Sequence, residues 1–120
     1  MRSCQLPPSE PPEVCYARGL EHLRGERHYE AHDDLEIAWR VAPAEERAFL
    51  QGLVHVAVAW HHARHGNRSG CERQLEKAAR RLGPYAPSHR SVDVAAVLAQ
   101  IEAARTLAAS GSLALEPVRI

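Results

Sequence analysis

The sequence predicts an all-α fold, a compact bundle of about five helices with a buried third helix at its centre and no β-sheet. Three observations lead there. Apolar residues recur at spacings of three and four, and nothing alternates with period two over a useful length. Glycine, proline and asparagine punctuate the chain at intervals that suit helix ends. Residues 49–60 carry no formal charge, and Phe49, Leu50, Leu53, Val54, Val56, Ala57, Val58 and Trp60 point around nearly the whole circumference of a helix. A helix that is apolar on every side lies inside its domain. A chain of 120 residues, 45% apolar and 25% charged, reads as one globular domain able to bury a single core without disulfides.

The elements follow in order. Residues 1–12 hold four prolines and read as a flexible arm. The helical domain is expected over 13–110 and a tail over 111–120. Helix one is predicted at 13–24, with Gly25 as its stop, because a residue without Cβ suits the left-handed turn after a helix. Helix two is predicted at 28–41, ahead of Pro43. Helix three starts at 44, where Glu45 and Glu46 suit the positive end of the helix dipole, and runs to 65 with Gly66 as terminator. Asn67 caps helix four, 68–82, which Gly83 and Pro84 end. After a loop over 85–91, Ser91 or Asp93 caps helix five, which runs to 109 and closes at Ser110 and Gly111. A faint repeat sets Arg24, Leu35, Glu36, Ala38 and Arg40 against Arg64, Leu75, Glu76, Ala78 and Arg80 at an offset of 40, and aligns Ala31 with Cys71. Two copies are too few for a solenoid.

Fifteen basic and fifteen acidic residues cancel, so no global field draws in nucleic acid or an anionic membrane. The charges are unevenly placed. Over 10–46 ten acids stand against four arginines, and over 64–90 seven bases stand against Glu72 and Glu76. Such halves are expected to face each other or to be solvated helix surfaces. The three cysteines, Cys4, Cys15 and Cys71, are odd in number and lack metal-type spacing. The first residues lack the apolar stretch of a secretory signal, and no apolar run approaches the roughly eighteen residues of a membrane span. The expectation is a reduced, cytoplasmic protein with no membrane partner.

Candidate chemistry concentrates on helices two and three. Gln51, His55 and His62 form a polar stripe on the otherwise apolar helix three. On helix two, Ala31, Leu35, Ala38 and Ala42 make the apolar arc, with His32 at its edge, Glu36 one turn on and Trp39 next in line. If the two helices pair antiparallel, these stripes face each other. The cluster His32, Glu36, Trp39, Gln51, His55 and His62 then either sets helix register through hydrogen bonds or lines a small pocket. Within it His32, Glu36 and His55 are the candidate ligands of a divalent metal, since imidazole and carboxylate suit zinc, iron or manganese. The Glu-x-x-His arrangement of ferritin-like metal sites is absent. His61 and His65 are i, i+4 neighbours at the end of helix three and read as surface residues. No Gly-rich phosphate loop, nucleophile elbow, zincin motif or paired CxxC is present.

The same residues carry a family resemblance. The run Tyr29-Glu30-Ala31-His32-Asp33, then Leu35-Glu36 and Trp39-Arg40, is followed by Phe49-Leu50-Gln51-Gly52-Leu53, His62, Gly66-Asn67 and Gly70. Over about residues 16–107 the chain resembles the domain of unknown function 309 family. The resemblance implies a compact multi-helix bundle, found in bacteria, archaea and plastids, and implies no activity.

The leading expectation is a non-catalytic helical domain that binds a protein partner or assembles with itself, with no cofactor. The first alternative is a metal-binding or metal-dependent enzyme using His32, Glu36 and His55. The second is RNA binding through Arg64, Arg68, Arg73, Lys77, Arg80 and Arg81.

Overall fold

The computed structural model describes residues 11–120. The expected arm falls outside them apart from Pro11 and Pro12. Among the described residues there are five α-helices: α1 (Pro12–Arg24), α2 (His28–Arg40), α3 (Ala44–Arg64), α4 (Arg68–Leu82) and α5 (Val94–Ala109). A 3-10 turn, Gly83–Tyr85, joins α4 to the last loop, and the described residues form no strand. The all-α bundle is thus the fold, with helix bounds within a residue or so of those that the punctuation predicts.

Each helix packs on its neighbour in the chain, as short connections require. α3 lies between α2 and α4 and brings Phe49, Leu50, Leu53 and Val56 into the core with essentially no exposure. α2 meets it with Ala31, Leu35 and Ala38, and α4 with Cys71, Leu75 and Ala78, all buried. These are the same places in the two copies of the faint repeat. It marks two helices that flank α3 with the same small–large–small stripe. Burial raises the Cys71 thiol pKa, and both described cysteines, Cys15 and Cys71, are buried.

One close crossing explains how α4 sits. A Cβ on Gly52 would stand 2.7 Å from Leu82 Cγ and 3.2 Å from Arg81 Cβ. Only a bare backbone lets α4 approach α3 so nearly. Gly19 does the same for α1 against Leu35 of α2.

Helix ends behave mostly as expected, with one exception. Asn67 and Asp93 cap α4 and α5, accepting from Gly70 N at 2.9 Å and Ala96 N at 3.0 Å. α3 closes with Gly66 at φ 72 and with Asn67 N donating to His62 O at 2.9 Å. At the end of α1, however, Gly25 sits at φ −90 and the left-handed residue is Glu26, at φ 60. Glu26 N donates to Leu23 O and Arg27 N to His22 O, at 3.1 and 2.8 Å. This is the same paired closure shifted one residue along, with glutamate where glycine is usual.

The loop after the 3-10 turn is held firmly. His89 Nε2 lies 2.7 Å from Glu46 Oε1, Tyr16 OH donates to Arg90 O at 2.8 Å, and the Arg90 guanidinium lies 4.1 Å from the Tyr16 ring centre. Burial pushes the Tyr16 hydroxyl up to about 12. Residues 112–120 have no regular structure but lie against the bundle. Val118 is 3% exposed, Trp60 Nε1 donates to Glu116 O at 2.9 Å, and the Gln100 amide pairs with both backbone groups of Arg119. Among the described residues no helix is long and apolar enough to cross a membrane.

Candidate functional site

The polar stripe of α3 faces α4, not α2. His55 Nδ1 lies 2.7 Å from Gln74 Oε1, and Asn67 Nδ2 donates to His62 Nδ1 at 3.4 Å. With Gly52 against Leu82, these contacts set α3 and α4 antiparallel. The expectation that the two stripes converge is therefore corrected. Position 55 belongs to the same side of α3 as the close crossing at Gly52, so packing on α4 carries it away from His32. Gln51 lies part-buried one turn earlier. Trp39 packs partly on the core, under the Arg47 guanidinium at 4.8 Å. Among the described residues no three His, Cys, Asp or Glu side chains are grouped to hold a metal ion. The ligand set His32, Glu36 and His55 is not assembled.

What remains together is His32 with Glu36, whose Nε2 and Oε1 are 3.6 Å apart, beyond ordinary hydrogen-bond length. His32 also lines a cleft that the sequence did not announce. Where the start of α2 meets the end of α3, His28, Tyr29, His32, Val58 and His61 line an open cleft of about 190 Å³. Tyr29 is 60% exposed, and its ring centre lies 6.1 Å from those of both His32 and His61. His28 is only 5% exposed, and its Nε2 is buried without a hydrogen-bond partner among the described residues. Burial, seconded by the Arg64 charge, lowers the His28 pKa below its ordinary 6.5. Burial also lowers that of His61, helped by His65, His62 and His32. At neutral pH these two walls of the cleft are uncharged imidazoles that offer one acceptor and one donor each.

A buried ion pair lies on the other side of α2. Asp34 is 4% exposed and accepts from Arg18 Nε at 3.2 and 3.3 Å. His22 Nδ1 stands 3.1 Å from Asp34 Oδ2, a close approach without an aligned hydrogen bond. The group ties α1 to α2. It and His28 were legible in principle, since Asp34 and His28 are spaced three or four from Ala31 and so fall on the apolar arc of α2. A charged or ionisable residue on a buried arc is the signal.

A model of the family described as Domain of unknown function (DUF309) matches residues 16–74, from α1 into α4. No curated protein and no solved structure matches the chain.

Proposed function

Because a model of the DUF309 family, whose description assigns no function, matches residues 16–74 of the chain, we propose its role from its own geometry: a binding domain without catalysis of its own. It holds a partner protein by one ring-bearing side chain seated in the cleft between α2 and α3. The observation that carries this reading is His28. A buried nitrogen without a partner costs about 1–3 kcal/mol, and a ligand that parts the cleft walls enough to reach it would remove that penalty. The size agrees, since an apolar cavity of about 150 Å³ accepts a benzene ring. Tyr29, exposed at the rim, is the residue type that dominates binding energy at protein contacts. Nothing in the cleft resembles an activated nucleophile, and His32 with Glu36 orders the wall.

The test uses N-acetyltyrosinamide and N-acetylphenylalaninamide, which differ by one hydroxyl. Titrated into the protein, the tyrosine probe is expected to move the NMR signals of His28, Tyr29, Val58 and His61 and to bind more tightly than the phenylalanine probe. The His28→Leu variant should erase that preference while keeping the fold. Free phenol binding as tightly as the amide would point to a small molecule instead. If neither probe perturbs these residues, the cleft is not a binding site.

A further inference from the structure

Residues 112–120 are not helical, yet they cover one face of the bundle. Beyond Ser112, no backbone group of this segment bonds to another backbone group among the described residues. Helix side chains hold it instead, and what they hold is its backbone. Trp60, 4% exposed, donates from Nε1 to Glu116 O at 2.9 Å. The Gln100 amide of α5 donates to Arg119 O at 2.8 Å and accepts from Arg119 N at 2.7 Å. A residue turns its N–H and C=O to one side when its backbone is extended, as in an antiparallel strand pair. Between these two anchors Val118 is 3% exposed, whereas Glu116, Pro117 and Arg119 face solvent.

Contacts to backbone groups carry no side-chain identity, so they suit a class of segment rather than one sequence. Pro117 narrows the class. It pushes the residue before it, Glu116, towards extended backbone, so the carbonyl that Trp60 reads is presented in advance. Docking of a proline-containing extended segment on an aromatic side chain is a recurrent mode of peptide recognition, because such a segment has little conformational freedom left to lose.

The chain's own segment fills this seat incompletely. Beside it, Trp60, Ala103, Ala104, Leu107 and Leu115 border a partly open cavity of about 200 Å³. That exceeds the roughly 150 Å³ that accommodates a benzene ring. Leu107 is 36% exposed on its border. An aromatic residue in the place of Leu115 would use this space. Gly111, at φ 97 in open space, joins α5 to the segment, so release beyond it leaves the helix intact.

We propose that this face of α3 and α5 is a docking site for a proline-containing extended segment of a partner protein, and that residues 112–120 occupy it until the partner displaces them. The partner's backbone takes over the bonds from Trp60 and Gln100. An aliphatic residue after its proline replaces Val118, and an aromatic residue two positions before the proline enters the cavity beside Leu107. The site is separate from the α2–α3 cleft and does not rest on it.

Two synthetic peptides, titrated against the intact chain, test the site. One copies residues 112–120 and the other carries Leu115→Phe. The Leu115→Phe peptide is expected to shift the NMR signals of the Trp60 indole N–H, the Gln100 amide and Leu107 saturably, while the chain's own Val118 methyl signals move to solvent-exposed values. It should bind several-fold more tightly than the copy, and a further Pro117→Ala change in the peptide should weaken it several-fold. In the chain variant Val118→Ala, which shortens the buried anchor and leaves the helices untouched, either peptide should bind about tenfold more tightly, because the competing segment is seated less firmly. Toluene is the control for a small apolar ligand. If it shifts Trp60 and Leu107 while neither peptide does, the cavity is a small-molecule site and the proposal fails. It fails equally if neither the unaltered chain nor Val118→Ala binds the Leu115→Phe peptide.

Discussion

Asp34 shows what a single buried charge does in a bundle of this size. The carboxylate is accessible to almost no water and lies against Arg18 and His22 of the preceding helix. Its desolvation is offset only while those partners stay in place, so the pair specifies how α1 docks on α2. Asp34→Ala is expected to lower the unfolding free energy by about 3 kcal/mol, the low end of the range for breaking a buried pair, because Arg18 keeps access to water. Urea denaturation followed by circular dichroism measures it. A loss near zero would mean that the pair adds nothing beyond what an apolar contact would supply. His28 has the opposite character. It too sits on the arc of α2, yet its Nε2 has no partner among the described residues, and the proposed binding role of the cleft rests on that incompleteness.

At the scale of the element, local chemistry and packing divide the work. Caps and terminators come from nearby residues, which is why Asn67, Asp93 and Gly66 act where their identities suggest. The end of α1 departs from that pattern, with Glu26 in the left-handed region and Gly25 beside it in a right-handed one. A side chain with Cβ is disfavoured there by about 1–2 kcal/mol. Glu26 keeps a surface ion pair with Arg64, worth at most about 1 kcal/mol. Glu26→Gly is therefore expected to raise stability slightly, by about 0.5–1 kcal/mol, read as an upward shift in Tm. A lowered Tm would mean that the Arg64 contact outweighs the backbone strain. The polar stripe of α3 teaches the other half. Gln51, His55 and His62 share a face, as their spacing says, but spacing carries no information about which neighbour that face meets.

Across the whole molecule, histidines are expected to make the fold sensitive to acid. His28, His55 and His61 all have their pKa values lowered, chiefly by burial, from an ordinary 6.5. The unfolded chain therefore binds protons at these sites more readily than the folded one. The stability they permit is present above pH 6.5 and is lost as pH falls below that unfolded value towards the folded ones. Tm should decline from neutral pH to about pH 5, and the double variant His28→Gln, His55→Gln should flatten the decline. An unchanged slope in the variant would assign the acid sensitivity to other groups. The three histidines are distributed between two places, His28 and His61 at the α2–α3 cleft and His55 against Gln74 where α3 meets α4. Ligand binding in the cleft is expected to couple to protonation.

The sequence by itself determined the helices, their ends and the central place of α3. These depend on hydrophobic period, on residues such as Asn67 and Gly66, and on the uncharged run from Phe49 to Trp60. It also supplied the family resemblance. Only the tertiary structure decided which residues meet. The rotation of α3 between α2 and α4 follows from contacts distant in sequence, above all the bare backbone of Gly52 beneath Leu82. That rotation sends His55 to Gln74 and leaves His32 to share a cleft with His28, Tyr29 and His61. A helical period defines a face, whereas the partner of that face is chosen by how side chains from several helices fill one space at close packing.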